Sequence, residues 1–287
     1  MTTDSHRPAA LHFLPEQHTL AHIAGMSIRI HRFNALAAGL NRRQQDTPGD
    51  GRVTFVLIHG IGMSSRYMKP LARTLAEYGE VLLLDMPGSA GLPAPQRARS
   101  IAGFAAIVDA ALALNGITDP ILIGHSMGAQ IATELLARRP QKYRRACLIG
   151  PPVNAAERHL PIAFARYLQS GIYEKGNLMA VAALAYMRCA KDWFFTTLPI
   201  MLRYPIENRI SLAEHADIIF LRGQHDYLAP PSWIKTLQQN LPQSQSVTIL
   251  GAAHSTLYND DDDVAQCAIS LMQPDELARL AQHRNTK

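Results

Sequence analysis

Short apolar runs alternate with segments of helical period over much of the chain. The runs VTFVLIHG (53–60), EVLLLDMPG (80–88) and PILIGHS (120–126) are too short for typical helices, and each ends in glycine or a polar residue. Between them, segments 67–79 and 100–116 have helical spacing of apolar residues and glycine at or near their far ends. This order of strand, helix, strand and helix predicts parallel strands joined by right-handed crossovers.

The pattern continues on both sides of these runs. A helix is predicted over 128–140, where Pro140 stops it, and further strands over 144–152, 216–226 and 245–254. Segment 22–33 alternates apolar and polar residues around a glycine and predicts an antiparallel hairpin, whereas 1–20 is expected to be loosely ordered and 34–52 a long surface loop. The prediction is an α/β fold with a doubly wound, mostly parallel sheet.

The alternation stops between residues 154 and 208, where helical stretches are broken by Gly171, Gly176 and Pro199. We interpret residues 155–207 as an inserted helical lid, with the core formed by residues 1–154 and 208–287. The predicted lid is rich in aromatic side chains, of which Phe164, Tyr186 and Trp193 are candidates for lining a substrate pocket; packing between the lid helices is the alternative for each.

Composition agrees with an ordinary soluble enzyme of 287 residues, with 47% hydrophobic and 18% charged residues. No apolar stretch is long enough to span a membrane, and the N-terminus lacks the apolar segment of a secretory signal, so we expect a cytoplasmic protein. The three cysteines fit neither a disulfide framework nor a zinc site. No metal or other cofactor is predicted.

The net charge of +5 raises the question of an anionic partner. The densest basic cluster, at Arg138, Arg139, Lys142, Arg144 and Arg145, follows a predicted helix, whose dipole favours cations at its C-terminus. No aromatic residues interleave with it, so no nucleic-acid binding is expected.

The sequence GHSMG places Ser126 at a strand-to-helix turn, with glycine two residues away on either side. The carboxyl ends of parallel strands face the ligand crevice. The turn must bring the following helix close to the neighbouring strands, so a side chain at Gly124 or Gly128 would clash. The free N–H groups of the following helix can stabilise an oxyanion. We therefore predict the Met127 N–H as one oxyanion donor and the Ile61 N–H, in the glycine-rich loop HGIGMSS, as the second.

A serine nucleophile requires a base and a carboxylate that orients the base. Asp226 and His254 follow two later strands and are the candidates. Asp217 precedes its strand and would lie at the wrong edge of the sheet, and Glu157 is a spare acid. His59 and His125 are expected to pack in turns, His225 to be solvated, and Asp85 to fix a loop by local hydrogen bonds.

These motifs together resemble the α/β-hydrolase fold family, whose catalytic residues occur in the order nucleophile, acid, histidine. The matching residues are His59-Gly60 with the following loop, DMPGSAG (85–91), GHSMG, GQHD ending at Asp226 and GAAH ending at His254, and they span most of the core. The resemblance implies a serine hydrolase with the catalytic and oxyanion residues above; Gly60 and His125 are further candidates for substrate contact.

Within this family a serine at position 126 disfavours epoxide hydrolases, dehalogenases and dienelactone hydrolases. We expect hydrolysis of a carboxylic ester with a small, fairly apolar acyl group through an acyl-enzyme intermediate. Thioesterase, lactonase and C–C bond hydrolase activities stay open, as does a non-catalytic ligand receptor on the same scaffold. A carrier-protein partner has only weak support, from the arginine cluster, and no membrane partner is expected.

Overall fold

Eight strands form one sheet in the computed structural model, which describes residues 17–33, 53–95, 100–174, 176 and 178–285. Their order across the sheet is β1-β2-β4-β3-β5-β6-β7-β8. Strands β3 to β8 pair in parallel, whereas β1 and β2 form an antiparallel edge. The predicted α/β fold class is confirmed. The strands are β1 Gln17–Ile23, β2 Met26–Phe33, β3 Thr54–Ile58, β4 Glu80–Asp85, β5 Ile121–His125, β6 Arg145–Ile149, β7 Asp217–Gly223 and β8 Gln245–Ile249.

The helices of the described residues connect these strands, as parallel pairing requires. The crossover helices around the central strands begin one or two residues from the predicted positions. The helices are α1 Lys69–Leu75, α2 Ile101–Leu114, α3 Met127–Arg138, α4 Leu160–Gly171, α5 Leu178–Met187, α6 Lys191–Arg203, α7 Ile206–Ile210, α8 Pro231–Gln239, α9 Thr256–Asn259, α10 Asp261–Ile269 and α11 Pro274–Asn285, with short 3-10 turns at Ser65–Met68, Ala155–Glu157 and Ser211–Ala213.

The central strands are buried on both faces, which explains their nearly continuous apolar sequences. In β3, Val56 and Ile58 pack into one hydrophobic cluster, whereas Phe55 and Leu57 pack into the cluster on the opposite face. Strand β4 alternates in the same way. The sheet is therefore a rigid scaffold, and the ends of its strands have fixed positions.

The N-terminal hairpin has the predicted antiparallel pairing, with Ile23 opposite Met26. Strand β1 begins at Gln17, so the expectation of loose order is wrong for residues 17–20, which pair with β2. The rest of that segment and the predicted loop 34–52 lie outside the described residues. The predicted helix over 67–79 consists of a 3-10 turn followed by α1, which ends at Leu75.

Helices α4, α5 and α6 follow β6 in the region predicted as a lid, and we call residues 155–207 the helical insertion. The connection between its helices α5 and α6 is joined to the loop after β4 by hydrogen bonds from Gly91 N to Arg188 O (3.0 Å) and from Ala190 N to Gly88 O (3.1 Å). The division into core and lid domains stays a prediction. Among the described residues, no helix is both long and apolar enough to cross a bilayer.

The cations of the basic cluster after α3 form ion pairs with acidic side chains. Arg138 contacts Glu134, Arg139 and Lys142 contact Asp109, and Arg144 and Arg145 contact Asp119. Because β6 begins at Arg145, these pairs lie at the amino-terminal edge of the sheet, opposite the end of β5 that carries Ser126.

Candidate active site

The turn between β5 and α3 holds Ser126 in a strained backbone conformation. Its φ of 54° and ψ of −122° are unusual for a residue with a side chain, as expected for a nucleophile elbow. A Cβ at position 124 would lie 2.4 Å from Gly128 O, and one at position 128 would lie 2.0 Å from Ile58 O. The clashes predicted at both glycines are thus present in the structure.

Asp226 and His254, from the loops after β7 and β8, meet at the carboxyl edge of the sheet. His254 Nδ1 lies 3.0 Å from Asp226 Oδ2, and both side chains are buried. The other carboxylate oxygen accepts hydrogen bonds from the N–H groups of Leu228 (3.0 Å) and Ala229 (3.1 Å). The acid is therefore fixed by its own loop and presents one oxygen to the imidazole.

The main chain at Gly150 approaches this pair closely. Gly150 has a φ of +51°, and a Cβ there would lie 2.8 Å from Asp226 Oδ2 and 3.0 Å from His254 Nδ1. Only glycine combines this conformation with this contact. Sequence reasoning missed Gly150, although a glycine before Pro151-Pro152 at a strand end is a recognisable signal.

Asp226 and His254 each shift the pKa of the other. Burial opposes a charged imidazole, but the Asp226 carboxylate, by charge and by hydrogen bond, raises the pKa of His254 above its ordinary value. Burial likewise opposes a charged Asp226, but the facing imidazole and the loop N–H groups lower its pKa. A carboxylate beside a basic imidazole suits general base chemistry.

No hydrogen bond joins the Ser126 hydroxyl to His254 within the described residues. The residue before Ser126 is close to His254, since the ring of His125 lies 4.7 Å from the ring of His254, measured between centroids. Ser126 N also donates to Ile149 O (2.9 Å), which places the serine beside Gly150 and the buried pair.

A buried chain of hydrogen bonds links three loops at the carboxyl edge of the sheet. Gly60 N donates to Tyr67 Oη (3.2 Å), Tyr67 Oη lies 2.6 Å from His125 Nδ1, and His125 Nε2 lies 3.0 Å from His254 O. Since a carbonyl only accepts, Nε2 carries the proton and Nδ1 accepts from Tyr67. Burial and the nearby His254 lower the pKa of His125 to about 3, so its ring is neutral.

These hydrogen bonds make His125 a residue that packs the turn, which is one of the two roles expected from the sequence. Both of its ring nitrogens are occupied by protein partners, so they are not free for a ligand. Gly60 is close to the elbow as well, since a Cβ there would lie 3.1 Å from Ser126 Cβ. Sequence reasoning did not identify Tyr67, because nothing in its local pattern distinguishes it from a core tyrosine.

A small apolar cavity with a volume of about 20 Å³ adjoins the elbow. It has room for roughly one water molecule. Both predicted oxyanion residues, Ile61 and Met127, line it, and the helical insertion contributes Trp193, Phe194 and Thr197 to its lining. The Thr197 hydroxyl is buried and has no hydrogen-bond partner in the described part of the chain.

The aromatic residues predicted to line a pocket have different positions. Trp193 lines the cavity, donates to Pro87 O (3.0 Å) and packs against Phe104. Tyr186 packs edge-on behind Phe194, with ring centroids 5.4 Å apart. Phe164 is 58% exposed and does not line this cavity.

The remaining candidate side chains have structural partners. His59 is buried, with Nδ1 2.7 Å from Gly60 O, and Nε2 accepts from Met86 N (3.0 Å), as expected for turn packing. Glu157 pairs with Arg166, and Asp217 lies at the start of β7, away from the site.

Two expectations about polar residues are wrong. Asp85 does not act through local hydrogen bonds, because its partners are Ser65 N (2.7 Å) and His31 Nε2 (2.8 Å), both distant in sequence. His225 is half-buried and not fully solvated, since its ring stacks on Tyr173 with centroids 4.0 Å apart. No group of three or more metal-ligating side chains occurs in the residues that the structure describes.

Comparison with known proteins adds family membership to this geometry. The model of the alpha/beta hydrolase family matches residues 55–267. A biotin biosynthesis bifunctional protein, BioHC, from Cellvibrio japonicus is 26% identical over 239 residues, which are 72% of this chain and 45% of that protein. The chain therefore spans less than half the length of that relative.

Two further matches span nearly the whole of the similar protein. A pimeloyl-[acyl-carrier protein] methyl ester esterase from Xanthomonas campestris pv. campestris is 23% identical over 243 residues, 74% of this chain and 91% of that enzyme. The solved structure of Est816, described as an N-acyl homoserine lactone degrading enzyme, has a TM-score of 0.72 at 16% identity, covering 88% of this chain and 100% of Est816. At this identity the structural likeness shows a shared fold.

Proposed function

Since the chain belongs to the alpha/beta hydrolase family, we propose that it hydrolyses carboxylic esters of small, fairly apolar acids through an acyl-enzyme intermediate on Ser126. The observation that carries the proposal is the buried Asp226–His254 hydrogen bond at the same strand edge as the strained Ser126 turn. The names of the relatives, which include an ester hydrolase, agree with this reaction class.

In the proposed reaction Ser126 Oγ attacks the ester carbonyl while His254 Nε2 takes its proton. Asp226 Oδ2 accepts the hydrogen bond from His254 Nδ1–H and stabilises the imidazolium that forms. His254 then gives the proton to the departing alcohol. A water molecule, activated by the same imidazole, next attacks the acyl-enzyme and releases the acid and the free serine. A serine–histidine contact that is absent without substrate commonly forms when substrate binds.

The oxyanion of the tetrahedral intermediate is assigned to the N–H groups of Ile61 and Met127. Both residues line the cavity beside the elbow, which supports their joint action on one oxygen. Met127 is the first residue of α3, so its N–H has no acceptor within the helix. Removal of one such donor typically costs about 10²–10³ in kcat.

We assign the acyl group to the region of this cavity under the helical insertion, which must widen when substrate binds because its present volume of about 20 Å³ holds roughly one water molecule. Met86, Phe104, Trp193 and Phe194 give it apolar walls, which favours a hydrocarbon acyl chain. The unpartnered Thr197 hydroxyl offers one hydrogen bond to a polar atom of the substrate. We propose that Tyr186 supports Phe194 from behind and that Phe164 does not contact the acyl group.

Ser126→Ala tests the proposal directly. We expect it to abolish hydrolysis of p-nitrophenyl acetate and butyrate and labelling by a fluorophosphonate, with an unchanged circular dichroism spectrum. Ser270→Ala, at an exposed serine, is the matched control and should keep wild-type activity. Undiminished activity of Ser126→Ala would overturn the proposal, and absence of labelling in the wild type would favour the non-catalytic receptor.

A second candidate is hydrolysis of a carrier-bound ester or a lactone, which the names of two similar proteins support; hydrolysis of a thioester is a further alternative. For carrier-bound substrates the basic cluster gives no support, because its cations are ion-paired at the opposite edge of the sheet. Comparison of kcat/KM for matched ethyl ester, thioester, lactone and acyl-carrier substrates identifies the reaction, with the largest value expected for the ester.

A further inference from the structure

One corner of the helical insertion contacts the residues that flank Asp226 and His254. We call residues 170–174, at the end of α4, the insertion corner. Its backbone is folded tightly, with hydrogen bonds from Tyr173 N to Ser170 O (3.0 Å) and from Glu174 N to Gly171 O (3.3 Å). The corner is thus a defined turn that can hold its neighbours in place.

The insertion corner contacts the loop that carries Asp226 on both sides of that residue. Ser170 is buried, and its hydroxyl accepts a hydrogen bond from Tyr227 N (3.0 Å), directly after the acid. The Tyr173 ring stacks on His225, directly before the acid, at 4.0 Å between centroids and 6° between planes. The two contacts restrict the loop that carries the carboxylate.

The same corner reaches the loop of the histidine. Glu174 Oε1 accepts a hydrogen bond from Ser255 N (2.9 Å), and Ser255 directly follows His254. This carboxylate is half-buried, so its charge is screened less than that of a surface acid. A negative charge at this position stabilises an imidazolium as it forms.

We propose that the insertion corner is a positioning element for the Asp226–His254 pair and that Glu174 is its central positioning residue. Through Ser255 N it fixes the loop of the imidazole, and through its charge it favours the protonated ring during acyl transfer. The insertion thus completes the site as well as covering it. This inference rests on the proposed function of His254 as the general base and of Asp226 as the carboxylate that orients it.

The electrostatic surroundings of His254 define the expected pH effect. The titratable groups that act on it are Asp226 from the β7 loop, Glu174 from the insertion and the neutral His125 from the elbow. Burial raises the pKa of Glu174, the charge of His254 lowers it, and the charge of Asp226 raises it. Removal of the Glu174 charge should therefore lower the pKa of His254.

Glu174→Gln and Glu174→Ala separate the hydrogen bond from the charge. Glutamine keeps an oxygen acceptor for Ser255 N, and alanine removes both. For both variants we expect the acid limb of the kcat/KM profile to move to lower pH by at least roughly half a unit. For alanine we also expect kcat to fall about tenfold with little change in KM, as displacement of the base predicts.

Glu157→Gln is the matched control, because this carboxylate of the same insertion pairs with Arg166. It should leave the profile unchanged. NMR titration of the His254 ring in wild type and Glu174→Gln gives a readout independent of turnover, so failure here is distinguishable from failure of the esterase assignment. An unshifted titration, or an effect on KM alone, would overturn the proposal; the glutamine variant decides the matter if alanine does not fold.

Discussion

Gly150→Ala tests whether the close approach of the main chain sets the geometry of the Asp226–His254 pair. The substitution adds one methyl group at a φ of +51°, in the left-handed region. The new Cβ would lie 2.8 Å from Asp226 Oδ2 and 3.0 Å from His254 Nδ1 and Cε1. The change therefore combines backbone strain with a clash against both members of the pair.

The two effects have separate magnitudes. The left-handed conformation costs a residue with a Cβ about 1–2 kcal/mol. Ordinary contacts of a Cβ begin near 3.4 Å, so the pair must retreat by about 0.4–0.6 Å from its present distances. Such overpacking costs about 1–3 kcal/mol. We expect the free energy of unfolding to fall by about 2–5 kcal/mol and kcat/KM by about 10–100-fold.

Gly25→Ala is the matched control, since Gly25 has a φ of +74° and no atom lies within 4 Å of a Cβ built there. It should lose only the strain of about 1–2 kcal/mol and keep full activity. Urea denaturation and hydrolysis of p-nitrophenyl acetate measure both quantities. Equal losses of stability in the two variants, or wild-type kcat/KM for Gly150→Ala, would refute the argument from close packing.

Two further predictions concern the same edge of the sheet. The acid limb of the kcat/KM profile should have its midpoint above 6.5, because the pKa of His254 is raised and the neutral ring is the base; Asp226→Asn should move it below that value and lower kcat by roughly 10⁴, and an unshifted midpoint would contradict this. Tyr67→Phe leaves His125 Nδ1 without its hydrogen-bond donor. Urea denaturation should then show a free energy of unfolding lower by about 1–3 kcal/mol, and kcat should fall several-fold. The control Tyr143→Phe loses a hydrogen bond to Asp109 far from the site, so it should lower stability but not kcat.

The pH dependence of stability follows from the same pair with opposite signs. The lowered pKa of Asp226 contributes stability that is present above its ordinary value of 3.8 and is lost as pH falls. The raised pKa of His254 contributes stability that is present below 6.5 and is lost as pH rises through the raised value. The pair therefore stabilises the fold most between these two limits.

The order and type of the core elements followed from the sequence because the signals were local. Short apolar runs separated by segments of helical spacing predict parallel strands whatever the partners of each strand are. The turn GHSMG carries its own steric reason, since Gly124 and Gly128 must accept backbone contacts at about 2 Å from any Cβ. Asp226 and His254 were selected because topology places strand ends at one edge.

Contacts between distant segments were decided only by the tertiary structure. Gly150 lies 76 residues before Asp226, Tyr67 lies 58 residues before His125, and Glu174 lies 81 residues before Ser255. No periodicity in the sequence indicates which of these segments meet. The same reason explains the error at Asp85, whose partners come from β2 and the turn after β3. Sequence pattern specifies which face or edge a residue occupies, whereas a hydrogen bond or a close approach depends on how the whole sheet and its insertion pack together.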